Sequence, residues 1–149
     1  MAAELGISRS IIWISPHTLK DLPSYLALAD VCVVPRPECP GHPVKLLNYM
    51  LAGKPIVSFA GGAKGVRHLH DAFVVSNHDC EALGRGIVTL LNDRKLAAAL
   101  GAAARATVLA NFDWRHVCAK IERIYDRLLE APGSNRMQTE IAAPATSKR

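Results

Sequence analysis

The stretch that decides the fold is residues 40–57, PGHPVKLLNYMLAGKPIV. Gly41 and Pro43 stand before an apolar run with helical spacing, and Gly53 closes that run just before a β-branched segment. Proline suits the first position of a helix because it has no N–H to lose and its φ is already helical. Glycine just past the end is the usual C-terminal signal. The stretch therefore predicts a helix with a deliberately positioned first turn, followed by a strand.

A helix start of this kind is a binding site for anions, because the N–H groups of its first turn have no partner within the helix and its dipole is positive there. Val44, Leu47 and Leu51 are predicted to form the buried stripe of the helix. Lys45 and Asn48, three residues apart, are predicted to share another face beside the N-terminus. Lys45 could neutralise a phosphate and Asn48 could hydrogen-bond to a sugar hydroxyl. The alternative is a solvated lysine and a surface amide.

Short β-branched runs recur along the first half of the chain, each bounded by proline, glycine, asparagine or aspartate. They are typical of buried strands and occupy residues 11–15, 31–35, 55–59 and 72–76. Segments with helical spacing lie between them. This alternation predicts an α/β fold, with a Rossmann-like parallel sheet of about four strands and flanking helices. The helix that starts at Pro43 would then point toward the carboxyl edge of the sheet, where ligands bind in such folds.

The second half of the chain is predicted to be helical. Capping side chains precede three helices: Asp79, Asn92 or Asp93, and Asp113. The last helix carries an apolar stripe at three-four spacing, formed by Trp114, Val117, Ile121, Ile124, Tyr125 and Leu128. For Trp114 and Trp13, packing in the core is favoured over stacking on a base, because most large aromatic residues are buried.

The two ends of the chain differ from its middle. Residues 2–5 followed by Gly6 are typical of the last turn of a helix, so either a short helix begins the protein or an earlier strand and helix are missing. From Ala131 onward, proline and polar residues are scattered without periodicity. We therefore expect residues 1–130 to form a partial Rossmann-like domain and residues 131–149 to be a disordered tail.

Composition narrows the class of protein. The 149 residues fit one domain or a piece of a larger one. No apolar run is long enough to span a bilayer and no secretory signal is present, so we expect a cytoplasmic protein. The formal charge of +5 suits an anionic ligand or an acidic membrane surface. Basic and aromatic residues are not interleaved, which argues against a nucleic-acid partner.

Metal ligation has little support in the sequence. The four cysteines are widely spaced and are expected to be reduced core thiols: Cys32, Cys39, Cys80 and Cys118. Cys39 and His42 have the spacing of half a zinc site, but no second pair follows, and no D-x-D motif is present. His68 and His70 are expected to be surface residues at the end of a helix rather than a metal or acid–base pair. We therefore expect no metal and no cofactor.

The motifs LPSYLALADVCVVP (22–35) and GHPVKLLNYMLAGKPIV (41–57), then the glycine pair at 61–62, resemble the C-terminal, donor-binding half of GT-B glycosyltransferases. The retaining family-4 enzymes, the glycosyl transferases group 1, show this pattern, and the resemblance runs from about Leu5 to about Leu129. It implies a site for a nucleotide-diphosphate sugar of the UDP or GDP type. The implied donor-binding residues are Gly41, His42, Pro43, Val44, Lys45, Asn48, Gly61 and Gly62. No catalytic residue is assigned. The alternative for the Gly61–Gly62 loop is a flexible strand-to-helix turn.

The sequence departs from the family pattern in two ways. Glutamates that commonly bind the donor sugar in the family are replaced by Pro40 and Asn48, so the hexose contacts must differ or be weaker, and Glu38 is a candidate substitute. The family's first strand, glycine-rich turn, basic pair and acceptor-binding domain would all precede Met1. We therefore expect this chain to be incomplete and inactive alone, and to need a missing N-terminal domain or a separate partner chain. The alternative function is a noncatalytic donor-binding subunit or fragment that needs a separate acceptor-binding partner. The complete enzyme is a candidate for peripheral membrane association.

Overall fold

The computed structural model describes residues 2–14 and 19–130. Three parallel strands are present there: β1 (Cys32–Val34), β2 (Ile56–Phe59) and β3 (Phe73–Val75). The α-helices are α1 (Leu22–Leu28), α2 (Val44–Leu51), α3 (Cys80–Asn92), α4 (Arg94–Phe112) and α5 (Trp114–Glu130). Short 3-10 helices occupy Ser8–Ser10, Leu19–Asp21 and Ala60–Gly62. None of the helices in these residues is long and apolar enough to cross a bilayer.

The sheet has the order β1-β2-β3, and both strand pairs are parallel. Cys32 lies opposite Ile56 in the first pair, and Val57 lies opposite Phe73 in the second. All of β2 is buried, as expected for the central strand of a parallel sheet covered by helices. The core joins this sheet to α3 and the first half of α4 through Val57, Phe59, Val75, Leu83, Leu90, Ala97 and Leu100. The predicted α/β class with a parallel sheet is confirmed.

The predicted strand at residues 11–15 was wrong for residues 11–14. Ile11 to Ile14 belong to no strand, and Ser15 lies outside the described residues. The side chains of Ile12 and Trp13 are 82% and 90% exposed, so the predicted core position of Trp13 was also wrong. Local β propensity is not sufficient for a strand, since the backbone also needs a neighbour for its hydrogen bonds. Within residues 2–14 and 19–130, no strand pairs with this segment.

Helix α2 differs from its prediction in two details. Pro43 is the capping residue, with extended backbone (φ −73°, ψ 105°), and Val44 is the first helical residue. The buried side chains of α2 are Leu46 and Met50, whereas Val44 is 68% exposed and Leu51 is also exposed. Two sets of apolar residues on this helix satisfy the three-four spacing. Packing next to β1 buries the set that contains Leu46 and Met50, and not the predicted one.

The predicted helix caps are confirmed. The carboxylate of Asp79 accepts a hydrogen bond from the Ala82 N–H at 2.8 Å at the start of α3. Asp93 caps α4 and Asp113 caps α5 through equivalent bonds to Leu96 and Arg115. At the other end of the chain, the Gly6 and Ile7 N–H groups donate to Ala3 and Ala2, both at 3.1 Å, with Gly6 at φ +68°. This is the helix-ending turn that the sequence predicts.

The chain divides within α4 into two compact units, the first ending at Arg105 and the second beginning at Ala106. The first unit contains the sheet and helices α1 to α3. In the second unit no residue of α5 is buried, and Trp114 is 70% exposed, so its predicted core position was wrong. The single domain at residues 1–130 stays a prediction, and the tail at 131–149 lies outside the described residues.

The cysteines are all unpaired, but only Cys32 is a core thiol. Cys39 is partly buried, and Cys80 and Cys118 are exposed. The prediction of core thiols was therefore wrong for Cys80 and Cys118. Both cysteines lie on helices, α3 and α5, and neither is among the buried residues of its helix. Apolar neighbours in the sequence are therefore not sufficient to bury a helical residue.

Candidate functional site

A cleft of about 640 Å³ opens at the carboxyl end of β1, beside the first turns of α2. It is lined by Val33, Val34, Pro35, Arg36, Cys39, Pro40, His42, Pro43, Val44, Lys45 and Tyr49. The last residues of a parallel strand and the start of the following helix therefore meet at one opening. This is the edge at which ligands bind in α/β folds of this type.

The loop between β1 and α2 carries much of the cleft wall, and its shape depends on Gly41. Gly41 has φ +76°, a conformation that residues with a side chain rarely adopt, and a Cβ there would meet nothing within 4 Å. Glycine is therefore needed at position 41 for its backbone conformation, and not because space is short. Pro43 then brings the chain into α2 in an extended conformation, and the side chain of Pro43 is buried.

The loop is braced from behind by the turn that follows β2. A Cβ on Gly61 would lie 1.6 Å from the Pro37 carbonyl oxygen, and one on Gly62 would lie 2.9 Å from Val34. The Lys64 ammonium also donates a hydrogen bond to the Cys39 carbonyl. The turn is thus closely packed against the loop, and the flexible-turn alternative for Gly61 and Gly62 stays a prediction.

The electrostatics of the cleft favour an anion. In the first turn of α2, the Leu46 N–H donates to Pro43 at 2.9 Å, while the Val44 and Lys45 N–H groups occupy positions for which the helix supplies no acceptor. Lys45, Arg36 and His42 add basic side chains. No carboxylate is among the described residues that line the cleft, so no fixed negative charge opposes a phosphate there.

The structure brings together only part of the predicted donor-binding set. His42, Pro43, Val44 and Lys45 all line the cleft, and Gly41 shapes the loop that enters it. The remaining residues lie elsewhere.

Asn48 is not among the residues that line the cleft. It lines a neighbouring apolar groove of about 520 Å³ together with Leu22, Pro23, Leu26, Val44, Leu51 and Ala52. Lys45 and Asn48 therefore do not share one opening, although their spacing predicted that they would. Gly61 and Gly62 contact the loop between β1 and α2 but do not line the cleft. Glu38 is exposed to solvent and does not line the cleft either. The donor-binding roles of all eight predicted residues stay predictions, those that line the cleft included.

Tyr49 is the residue that the sequence reasoning missed. It lines the cleft four residues after Lys45, on the same side of α2. Burial, followed by the neighbouring Cys32 thiol, raises the pKa of Tyr49 above its ordinary value of 10.0. An aromatic residue within an apolar helix is usually a core residue, which hid this position. The signal that could have found it is the four-residue spacing from Lys45.

The predicted helix end at His68 and His70 was wrong, because residues 69–71 form a turn between the bridge residues His68 and Ala72. His68 accepts a hydrogen bond from the Val74 N–H at 3.0 Å, and His70 hydrogen-bonds to the buried Asp71 carboxylate at 2.6 Å. Asp71 also accepts from the Arg67 N–H at 3.0 Å. These bonds give both histidines structural partners. Across residues 2–14 and 19–130, no group of three or more potential ligands is placed to hold a metal ion.

The sequence pattern of the family Glycosyl transferases group 1 matches residues 1–93. The chain belongs to this family. Among its relatives, D-inositol 3-phosphate glycosyltransferase from Salinispora arenicola is 30% identical over 135 residues, which is 89% of this chain and 30% of that enzyme. The GDP-mannose-dependent alpha-(1-6)-phosphatidylinositol monomannoside mannosyltransferase of Mycolicibacterium smegmatis is 29% identical over 139 residues, which is 88% of this chain and 36% of that enzyme. This group 1 chain therefore spans about a third of the length of these relatives.

Solved structures of glycosyltransferases share the fold of this group 1 chain. Sucrose-phosphate synthase from Thermosynechococcus elongatus superposes with a TM-score of 0.77 at 26% identity, over 87% of this chain and 33% of that protein. HepE from Anabaena, solved in complex with UDP-glucose, superposes with a TM-score of 0.75 at 20% identity, over 84% of this chain and 34% of that protein. These findings confirm the resemblance to the C-terminal region of GT-B glycosyltransferases.

Proposed function

We propose that this chain supplies the donor-binding part of a retaining hexosyltransferase that uses a nucleoside-diphosphate sugar. The observation that carries the proposal is the cleft at the start of α2, which combines the Val44 and Lys45 amides with three basic side chains and has no carboxylate among its described lining residues. A diphosphate is the anion that fits such a cleft, because it can accept hydrogen bonds from both amides and from the Lys45 ammonium together.

The same groups give the cleft a role in the chemistry. When the glycosidic bond of a donor breaks, negative charge grows on the leaving diphosphate. Fixed N–H groups and a cation that already point at this charge stabilise the transition state without reorganising. Lys45 and the two amides are the groups of this chain that would do so. Membership of the group 1 family and the UDP-glucose complex of the structural relative HepE support a donor of this class.

Calorimetric titration of the purified chain tests the proposal. UDP, GDP, UDP-glucose and GDP-mannose are the ligands, and at least one nucleotide should bind. Lys45→Ala should weaken that binding about 10- to 100-fold, as expected for loss of a charge-assisted hydrogen bond worth about 1.5–3 kcal/mol. The matched control is Lys95→Ala on α4, which removes the same charge from an exposed site outside the cleft. Absence of binding by all four ligands, or equal effects of the two substitutions, would contradict the proposal.

A second candidate function is a noncatalytic donor-binding subunit that completes its site with a separate acceptor-binding protein. The observation that favours it is the apolar stripe of α5, which is exposed at Trp114, Val117, Ile121, Ile124, Tyr125 and Leu128. A continuous exposed patch of this kind marks an interaction surface. Co-purification of a partner with the tagged chain, lost on Ile121→Glu and retained on the polar-face change Arg123→Glu, is the supporting result. A monomer that binds donor without any partner would count against it.

A further inference from the structure

Tyr49 shares the cleft with Lys45, one helical turn farther along α2. At a rise of about 1.5 Å per residue, its Cα lies about 6 Å beyond that of Lys45 along the helix axis. The apolar side chains Val33 and Val34 line the same opening. The cleft therefore has a cationic rim at the helix start and an apolar, aromatic part next to it.

The hydroxyl group of Tyr49 is available to a ligand. Among the described residues it has no hydrogen-bond partner, and no buried side-chain nitrogen or oxygen lacks one, so this hydroxyl reaches solvent. The ring itself is partly buried. A tyrosine phenol carries its proton at neutral pH, and burial raises the pKa of this one further, so it can donate a hydrogen bond. A tyrosine side chain has only two rotatable bonds before the hydroxyl, so it loses little conformational entropy when a ligand binds.

We infer that Tyr49 positions the donor by contacting a sugar ring that lies beside the diphosphate. The hydroxyl hydrogen-bonds to a hydroxyl of that sugar, and the ring packs against its apolar C–H face. This inference rests on the proposed function, because it assumes that the anion at Lys45 is a diphosphate that carries sugars. It gives the site a contact for the uncharged sugar of the donor, in a cleft where no described lining residue supplies a carboxylate for this purpose.

The test compares Tyr49→Phe with the wild-type full chain, using inorganic pyrophosphate, UDP, UDP-glucose, GDP and GDP-mannose as ligands. Phenylalanine keeps the ring and its packing and removes only the hydroxyl. We expect pyrophosphate to bind unchanged and the nucleotides to bind about 3- to 10-fold more weakly, the range for loss of one neutral hydrogen bond. A loss already seen with UDP or GDP identifies ribose as the sugar. A loss seen only with the nucleotide sugars identifies the hexose.

Two controls separate a ligand contact from a change in the fold. Tyr25→Phe removes a hydroxyl from an exposed tyrosine of α1 outside the cleft and should change no affinity. Circular dichroism and thermal unfolding should show that Tyr49→Phe folds like the wild type. Tyr49→Ala, which also removes the ring, should weaken nucleotide binding further than Tyr49→Phe does.

The outcomes distinguish the two proposals. If the wild-type chain binds nucleotides or nucleotide sugars and Tyr49→Phe binds every one of them equally well, the Tyr49 inference is overturned while the donor-binding function stands. If Tyr49→Phe weakens pyrophosphate as much as nucleotides, Tyr49 acts on the anion site or on the structure, and the inference is also overturned. If the wild type binds none of the ligands, the proposed function fails and the inference fails with it.

Discussion

Gly61 lies directly behind Pro37, and a methyl group on Gly61 would stand 1.6 Å from the Pro37 carbonyl oxygen. The Gly61 N–H also donates a hydrogen bond to the Asn77 side chain at 2.8 Å. These two contacts join the loops that follow β1, β2 and β3 at the carboxyl edge of the sheet. The wall of the cleft is therefore held by backbone contacts that leave no room for a side chain.

Gly61→Ala should displace the loop after β1 and weaken ligand binding. The new methyl group cannot occupy its ideal position, and overpacking of this kind costs about 1–3 kcal/mol. We expect a melting temperature several degrees lower and nucleotide affinity reduced about tenfold, measured by thermal unfolding and calorimetry. Unchanged stability and affinity would show that the loop shifts without cost.

The matched control for Gly61 is Gly84→Ala on α3. Gly84 is an exposed helical glycine, and a Cβ there would meet nothing within 4 Å. Alanine has the higher helix propensity, so this change should stabilise the chain by about 0.5–1 kcal/mol and leave nucleotide affinity unchanged. The same chemical substitution is thus expected to have opposite signs at the two positions.

Asp79→Ala should lower the free energy of unfolding by about 1 kcal/mol, because α3 loses the carboxylate that accepts the Ala82 N–H. Asp79→Asn keeps an acceptor at the same place and should cost much less. Chemical denaturation followed by circular dichroism measures both changes. Equal losses for alanine and asparagine would indicate that charge, rather than the hydrogen bond, stabilises the helix start.

Asp30 and Arg94 form an exposed ion pair at 2.8 Å, and the hydrogen bond from Arg94, followed by its charge, holds the pKa of Asp30 below its ordinary value of 3.8. A carboxyl whose pKa is depressed on folding adds stability above its ordinary pKa and loses it as the pH falls through the folded value. The contribution should therefore be complete near neutral pH, begin to decline as the pH approaches 3.8, and be lost only below the folded pKa of Asp30. In Arg94→Gln, NMR titration should show the pKa of Asp30 rising toward 3.8. An unchanged pKa would mean that the pair does not persist in solution.

Nucleotide binding should weaken as salt concentration rises, because the basic side chains at the cleft are solvent-exposed and their field is screened. We expect UDP or GDP affinity to fall between about 50 mM and 500 mM NaCl. The dependence should be shallower in Lys45→Ala than in the wild type and unchanged in Lys95→Ala. Equal slopes in all three proteins would place the phosphate contact away from Lys45.

The sequence by itself determined the α/β class and most of the element boundaries. Asp79, Asp93 and Asp113 mark helix starts, because a capping side chain acts on N–H groups only two or three residues away. Gly41 and Pro43 likewise constrain their own backbone angles, so the entry to α2 could be predicted. The anion-binding character of the helix start follows from the same local chemistry.

Only the tertiary structure decided which side chains are buried and which line the cleft. The buried face of α2 is Leu46 and Met50 rather than Val44, Leu47 and Leu51, and Tyr49 opens to the cleft. Burial depends on elements that are distant in the sequence, and here two apolar faces satisfied the same helical period. The close approach of Gly61 to Pro37 has the same origin, since neither residue carries any local sign of a partner more than twenty residues away.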